Sequence, residues 1–339
     1  MTDTKIVAKW WEKEGDKIKC TLCPRYCRIG EGQTGFCYIR KNEGGILYSL
    51  GYSKPVAINI DPIEKKPLFH FLPSTTILSL GTAGCNMGCI FCQNWDISKA
   101  KLDQLHSFYT PPEKLVNLAL QYNCPSIAFT YNEPTIISEY VIDTAKIAKK
   151  YGIKIVMVSN GYISKEAFYD VYENVDGANI DLKAITEKFY QKITLSHLEP
   201  VKETLKRLKE IGTVWFEITN LIIPTLNDSE KEIEELCDWV LDNLGDTIPI
   251  HFTAFHPDYK LTNLPKTPKE TLIKARNIAM RKGIKYVYTG NVWYDEGSTT
   301  YCPKCKTPLI TRSWHEVMIN KVKDGKCPKC NTTIEGVWN

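Results

Sequence analysis

Thirteen cysteines in 339 residues are the side chains best able to do chemistry here. The N-terminal stretch has no continuous apolar run of a secretory leader, so a reducing cytoplasmic setting is expected and the thiols read as metal ligands rather than disulfides. They fall into three groups and two leftovers. Cys85, Cys89 and Cys92 follow the pattern C-x3-C-x2-C. A usual [4Fe–4S] site supplies four thiolates, so three leave one iron open to an outside ligand. Gly84 and Gly88 let the backbone wrap closely around a bulky cluster. The plainer alternatives are a three-cysteine zinc site completed by a distant histidine, or three buried thiols. Cys302, Cys305, Cys327 and Cys330 form two Cys-Pro-Lys-Cys knuckles. Paired knuckles of this kind read as a zinc ribbon, closed and structural. A rubredoxin-like iron is the other option, and the lack of a glycine after either knuckle leans against it. Cys20, Cys23, Cys27 and Cys37 make a third group, C-x2-C-x3-C-x9-C. Zinc and a second iron–sulfur cluster are both open there. Zinc is preferred because a short local segment needs a staple. Cys237 shares a helical face with Ile233, Leu236, Val240, Leu241 and Leu244, and Cys124 lies in a turn before a strand; both read as buried thiols.

The elements that must position these groups show a clear change of pattern. Residues 1–70 mix cysteines, glycines and short β-like runs (Ile46–Leu50, Val56–Ile60) and read as an N-terminal module. From about residue 71 to 295, apolar strands alternate with capped helices. Strands are expected at Thr76–Leu80, Ser126–Thr130, Ile153–Ser159, Gly177–Leu182, Val214–Ile223 and Pro249–Ala254. Thr110-Pro-Pro-Glu113, Ser196-x-x-Glu199 and Thr267-Pro-Lys-Glu270 read as capping boxes opening helices. Residues 296–339 form the ribbon-like tail. Six βα units in series imply an α/β fold with a parallel sheet curling into a partial barrel, short of the eight units of a closed one. In such sheets ligands sit at the carboxyl ends of the strands.

Composition is that of an ordinary globular protein, 43% hydrophobic and 24% charged,. The net charge of +4 sits in the tail, where Lys304, Lys306, Arg312, Lys321, Lys323, Lys326 and Lys329 outnumber Glu316, Asp324 and Glu335. Four thiolates around Zn²⁺ would offset part of that excess. A long-range pull on nucleic acid is therefore not expected of the main body, and no apolar stretch approaches bilayer length.

At Cys85, Cys89, Cys92 and the aromatic Phe91 the chain resembles the radical S-adenosylmethionine (SAM) superfamily. Gly81 to Trp95, Asp61 to His70 and Glu335 to Trp338 are similar to the AmmeMemoRadiSam system radical SAM enzymes, relatives of the pyruvate formate-lyase activating enzymes. The resemblance implies a partial (β/α)6 barrel, a [4Fe–4S] cluster and SAM. It also implies roles for the polar residues after each strand. Asn132 and Glu133, in Tyr131-Asn-Glu-Pro134, stand where relatives bind the SAM amino group, with two glycines replaced; Glu133 can equally cap the next helix. Ser159 and Asn160, before Gly161, stand where ribose or carboxylate is reached. Asp181 and Lys183 match an Asp-x-Lys motif, with Lys183 able to pair with the SAM carboxylate; a structural ion pair is the alternative. His256, in Phe255-His-Pro257, matches a motif near the adenosine. The relatives' arginine after the fifth strand is missing, and Glu217, Thr219 and Asn220 stand there instead. Tyr109, Tyr259 and Trp95 are further wall candidates but read more simply as packing.

The chemistry implied is one-electron cleavage of SAM and hydrogen abstraction from a small molecule. A ferredoxin- or flavodoxin-like reductant is implied, and the subfamily name hints at a Memo-type pathway partner. Glycyl-radical activation of a partner protein is a second reading. A non-catalytic iron–sulfur or zinc-ribbon binding protein is a third, and it leaves the polar strand ends unexplained.

Overall fold

The computed structural model describes residues 5–339. Its centre is one eight-stranded sheet whose strands lie side by side in chain order. We number them β1 (Ala57–Pro62), β2 (Thr76–Gly81), β3 (Ser126–Phe129), β4 (Lys154–Ser159), β5 (Gly177–Asp181), β6 (Trp215–Ile222), β7 (Ile250–Ala254) and β8 (Val287–Gly290). From β2 to β8 every pairing is parallel, whereas β1 runs antiparallel to β2. Main helices α1 (Pro112–Gln121), α2 (Ser138–Ala148), α3 (Lys165–Tyr172), α4 (Leu198–Ile211), α5 (Glu230–Leu244) and α6 (Lys269–Lys282) make the crossovers.

The six expected parallel strands are all present, and two more join them. Val287–Gly290 extends the sheet at one edge. Ala57–Pro62 extends it at the other, so the β-like run at 56–60 belongs to the main sheet. The small N-terminal sheets are built from residues 6–49. A separate antiparallel sheet, Thr300–Tyr301, Pro308–Ser313 and Glu316–Asn320, forms the tail.

Helix faces follow the apolar spacing. In α5, Ile233, Leu236, Cys237, Val240 and Leu244 are buried, as the periodicity requires. Ser229 caps this helix by accepting from the Glu232 amide. The three capping boxes expected elsewhere do not form. Pro111, His197 and Pro268 stand at the N-cap positions of α1, α4 and α6, and none makes a side-chain cap bond. The hydroxyls have other partners: Thr267 donates to the Ile222 carbonyl, Thr110 to Phe108, and Ser196 pairs with Thr194. A buried hydroxyl beside a strand-end carbonyl serves that acceptor first.

Two long-range stitches hold the outer modules on. Buried Arg40 donates to both carboxylate oxygens of Glu139 at 2.7 Å, tying the N-terminal sheets to α2. Buried Arg312 donates to the Phe69 carbonyl at 2.8 Å and to Ser298 and Thr300, tying the tail sheet under the barrel. The Asp61–His70 and Glu335–Trp338 stretches, far apart in sequence, meet here. The His70 ring lies 2.6 Å from the Glu335 carbonyl, and Val337 and His70 pair through their backbones at 2.7 Å.

Candidate functional site

The loop after β2 carries Cys85, Cys89 and Cys92 across the carboxyl ends of the strands. Its path is fixed by many bonds from outside it. Asn132, after β3, donates to the carbonyl of Gly84 at 2.8 Å and accepts from the Thr82 amide. Asn160, after β4, donates to the Asn86 side chain at 2.9 Å and comes within 3.8 Å of the Cys85 sulfur. Arg25, from the N-terminal module, donates to the carbonyls of Asn86 and Leu195. Gly88 lies so close under Leu195 that a Cβ there would come within 2.7 Å of its methyl. A larger residue there would have to push the Leu195 side chain aside.

These residues open onto one recess of about 260 Å³. Cys85, Cys89, Phe91, Cys92, Asn132, Glu133, Asn160, Asp181 and Lys183 all line it, so spacing and strand-end position together gather nine of the eleven expected residues of this site. Two do not line it. Ser159 is buried one position short of the mouth, where its hydroxyl donates to Glu133 at 2.7 Å. His256 is exposed on the far side of the β7 turn, its Nδ1 3.3 Å from the Pro257 carbonyl. Buried Phe255 occupies the inward direction there, and successive residues of an extended chain point opposite ways. Trp95 and Tyr259 stack on each other at 5.5 Å outside the recess, and Tyr109 is exposed.

Glu133 is buried, and both its oxygens are engaged. One accepts from the Thr135 amide and Ser159, the other from the Asn160 amide. It therefore caps the turn after β3 and locks the ends of β3 and β4 together. Burial raises its pKa, against the pull of those donors. Lys183 sits 2.7 Å from Asp181 and 5.8 Å from the Phe91 ring. Burial opposes its charge, but Asp181 and the Cys89 thiol hold it up, so the net shift is upward.

Burial likewise raises the thiols. Cys85 is pushed up to about 12, with Lys99 pulling the other way, and Cys89 is raised against Lys183 and Lys99. Two ammonium groups thus face three soft donors in one recess, an environment that favours thiolate once a metal displaces the protons. The recess has no fourth cysteine and no histidine in its lining. The donor set fits a three-thiolate iron–sulfur cluster with an open iron.

Sequence reasoning missed Lys99, Tyr131, Thr253 and Asn291, which also line the recess. Lys99 stands on no strand end and in no motif; only its bond to the Met87 carbonyl at 2.6 Å turns it inward. The three residues noted in β6 divide between its two faces. Thr219 and Leu221 line the recess, while Glu217 on the same face lies deeper. There it accepts from the amides of Phe69 and His70 and from His251. Asn220 turns the other way and donates to the Leu182 carbonyl.

Similarity to known proteins agrees with this geometry. The Radical SAM superfamily model matches residues 79–240, a span that holds the cysteine loop and the ends of β3, β4 and β5. The chain carries a radical SAM domain. Much of this radical SAM enzyme is shared with an uncharacterised protein of Methanocaldococcus jannaschii, 47% identical over 331 residues, 97% of this chain and 98% of that one. The pyruvate formate-lyase-activating enzyme of Clostridium pasteurianum is 24% identical over 208 residues, 55% of this chain and 83% of that enzyme. Among solved structures, a radical SAM methyltransferase from Sphaerobacter thermophilus superposes with a TM-score of 0.51 at 16% identity, covering 66% of this chain and 68% of that one; it shares the fold. Among the described residues, no helix is long and apolar enough to cross a membrane.

The two other cysteine groups lie outside this recess. The sulfurs of Cys302, Cys305, Cys327 and Cys330 all lie within 4.8 Å of one another, close to what tetrahedral thiolate coordination needs. Cys20, Cys23, Cys27 and Cys37 line a small recess with Arg40 and Asn86.

Proposed function

We propose that this enzyme cleaves SAM reductively at a cluster held by Cys85, Cys89 and Cys92, and that the radical so formed takes hydrogen from a small-molecule substrate. The observation that carries this reading is the three-thiol recess with no fourth cysteine and no histidine in its lining. With the cluster and SAM bound, the pair supplies one-electron cleavage of the sulfonium and a 5′-deoxyadenosyl radical. The chain's own residues position and enclose. Lys183, held by Asp181, offers a cation to the SAM carboxylate, the part left without the relatives' arginine. The carbonyls around Tyr131 and Asn132 offer acceptors to its ammonium. Glu133 and Ser159 keep these strand ends in register without needing to touch the ligand. Zinc in the tail quartet holds the ribbon sheet and takes no part in the chemistry. An external low-potential reductant is required.

A second recess favours a small molecule over a protein loop. It shares Pro67, Thr253 and Asn291 with the first, and is walled by Trp293, Trp314 and His315. The two tryptophan rings lie 4.9 Å apart, a surface suited to a flat or partly apolar group. The test is anaerobic reconstitution, dithionite reduction and assay of 5′-deoxyadenosine. Product from the wild type that vanishes in Cys89→Ala supports the proposal. No product from protein carrying a full cluster would refute it.

A further inference from the structure

The cysteines at 20, 23, 27 and 37 are not used by the reading above, and their surroundings differ from those of a structural knuckle. Among the described residues, the tail quartet is the set of three or more cysteine, histidine or acidic ligand atoms gathered within 4.8 Å. No three of the N-terminal sulfurs gather within that limit. Zn–S bonds of about 2.3 Å put the corners of a tetrahedron inside that limit; a multi-iron core holds its thiolates further apart.

Three observations say what the recess accepts. First, it is recessed and mostly apolar, walled by Leu22, Ile29 and Ile136 between the sulfurs. Second, the backbone amides of Leu22, Arg25, Ile39 and Arg40 favour the thiolate forms of Cys20, Cys23 and Cys37, as those of Lys304, Cys305 and Thr307 do in the tail quartet. Amides aimed at sulfur stabilise thiolate-bound clusters and tune their potential. Third, Arg40 is 1% exposed and lines the recess, and its Nε is a buried donor with no partner. Its other end is engaged by Glu139 and the Lys9 carbonyl. A buried unpaired guanidinium N–H costs about 1–3 kcal/mol unless an acceptor arrives, and a sulfur of an anionic cluster is such an acceptor.

The recess also touches the catalytic loop directly. Asn86, the residue after Cys85, forms part of its wall. Gly84, the residue before Cys85, lies so tightly against the Cys37 carbonyl that a Cβ on it would overlap that oxygen. One peptide link, one van der Waals contact and the Cys37 residue therefore connect the two thiol sets.

We propose that Cys20, Cys23, Cys27 and Cys37 hold a second iron–sulfur cluster, and that it passes single electrons to the cluster at Cys85, Cys89 and Cys92 across the Cys37–Gly84 contact. This reverses the sequence-based preference for zinc and rests on the radical SAM reading for its acceptor. The step moves one electron and breaks no bond. A low-potential one-electron donor of the ferredoxin or flavodoxin class reduces the N-terminal cluster. That cluster is reoxidised as the catalytic cluster is reduced, and no proton is transferred.

The experiment counts metal before it measures turnover. Reconstituted full-length protein should carry about eight irons with matching sulfide and one zinc; about six irons, from a two-iron second cluster, supports the proposal equally. The triple variant Cys85→Ala, Cys89→Ala, Cys92→Ala should keep the N-terminal share and give an electron paramagnetic resonance signal when reduced. About four irons and two zincs in the wild type would overturn the proposal. So would a folded triple variant, judged by circular dichroism, that holds zinc and no iron. This count needs no SAM cleavage, so a wild type with both clusters and no 5′-deoxyadenosine sinks the catalytic reading alone. For the relay, Cys20→Ala, Cys23→Ala should lose at least about tenfold in rate with reduced flavodoxin, while dithionite, small enough to reach the catalytic cluster directly, still supports cleavage. Equal rates with both donors in variant and wild type would overturn the relay.

Discussion

The two four-cysteine modules offer the same ligand set in opposite surroundings. The tail quartet gathers its sulfurs within 4.8 Å on a small sheet of its own. It packs against Leu309, Ile310 and Ile334, and the catalytic loop is not part of that cluster. The N-terminal quartet spreads around a recess whose wall includes the catalytic loop itself. Each module is pinned to the barrel by one buried arginine, but the pins differ. Arg40 meets Glu139 with two 2.7 Å bonds, whereas Arg312 stands 3.8 Å from Glu64 and spends its donors on carbonyls and a hydroxyl. The lesson is that cysteine spacing identifies a thiolate site, while its neighbours decide whether it staples or communicates.

The largest effect that would break this comparison is loss of one tail ligand. Cys305→Ser should release the zinc and with it on the order of 10 kcal/mol of ribbon folding energy. Zinc analysis should fall from one per chain to none, and limited proteolysis should cut within 302–330 while the barrel stays whole. Retained zinc and an uncut tail would make the quartet something other than a structural staple.

The arginine pins come next. Arg40→Met removes both short Arg40 bonds from the buried Glu139, and should cost about 3–5 kcal/mol in urea unfolding. Arg312→Met should cost about 2 kcal/mol, because Arg312 stands 3.8 Å from Glu64 rather than in a close pair with it. Equal losses would erase the distinction between the pins.

Two glycines sharpen the contrast further. Gly84 has φ +84° and no room for a Cβ against Cys37. Gly84→Ala should cost about 3 kcal/mol and loosen the N-terminal module from the catalytic loop. Gly325, in the tail, has φ +67° and its nearest neighbour at 3.1 Å is the Trp338 ring. Gly325→Ala should cost about 1 kcal/mol, read as a shift in the same urea midpoint.

Acid should also act on the modules unequally. Burial pushes His70 down to about 4 from its ordinary 6.5, with Glu217 and the Glu335 carbonyl opposing and Arg312 and His251 adding to the fall. The unfolded chain then binds the extra proton first, so stability falls as pH drops from about 6.5 to about 4. The loss is at most about 3 kcal/mol, and it is fully recovered above the unfolded value. The tail stitch should weaken over that window, while the Arg40–Glu139 pin, which includes no histidine, should hold. Hydrogen exchange at Val337 against that at Arg40 measures the difference.

Much of this was legible in the sequence, and the failures have physical reasons. Six strands and the apolar face of α5 were readable because buried parallel strands are continuous apolar runs and helices repeat every 3.6 residues. Val287–Gly290 was hidden because four residues carry no period. The run at 56–60 was seen as β but assigned to the wrong neighbour, since pairing is a tertiary fact. The capping boxes matched in type, yet Thr110, Ser196 and Thr267 found better acceptors nearby. In the recess, residues in motifs at strand ends were found and Lys99 was not, because a single lysine in a loop resembles any solvated charge. His256 sat in the right motif, but one residue of alternation turns it to solvent.

The stitch at His70 joins residues 265 positions apart. On a ribosome, the eight strands are all made before the acceptor for that ring exists. Until Glu335 to Trp338 emerge, the His70 ring lacks its carbonyl and the Trp338 part of its aromatic cover, and Leu72 lacks the Val337 carbonyl that its amide meets. Synthesis order thus imposes an assembly order, with sheet first and tail last. A chain stopped before Glu335 is left with the His70 carbonyl and the Leu72 amide unpaired at an open seam.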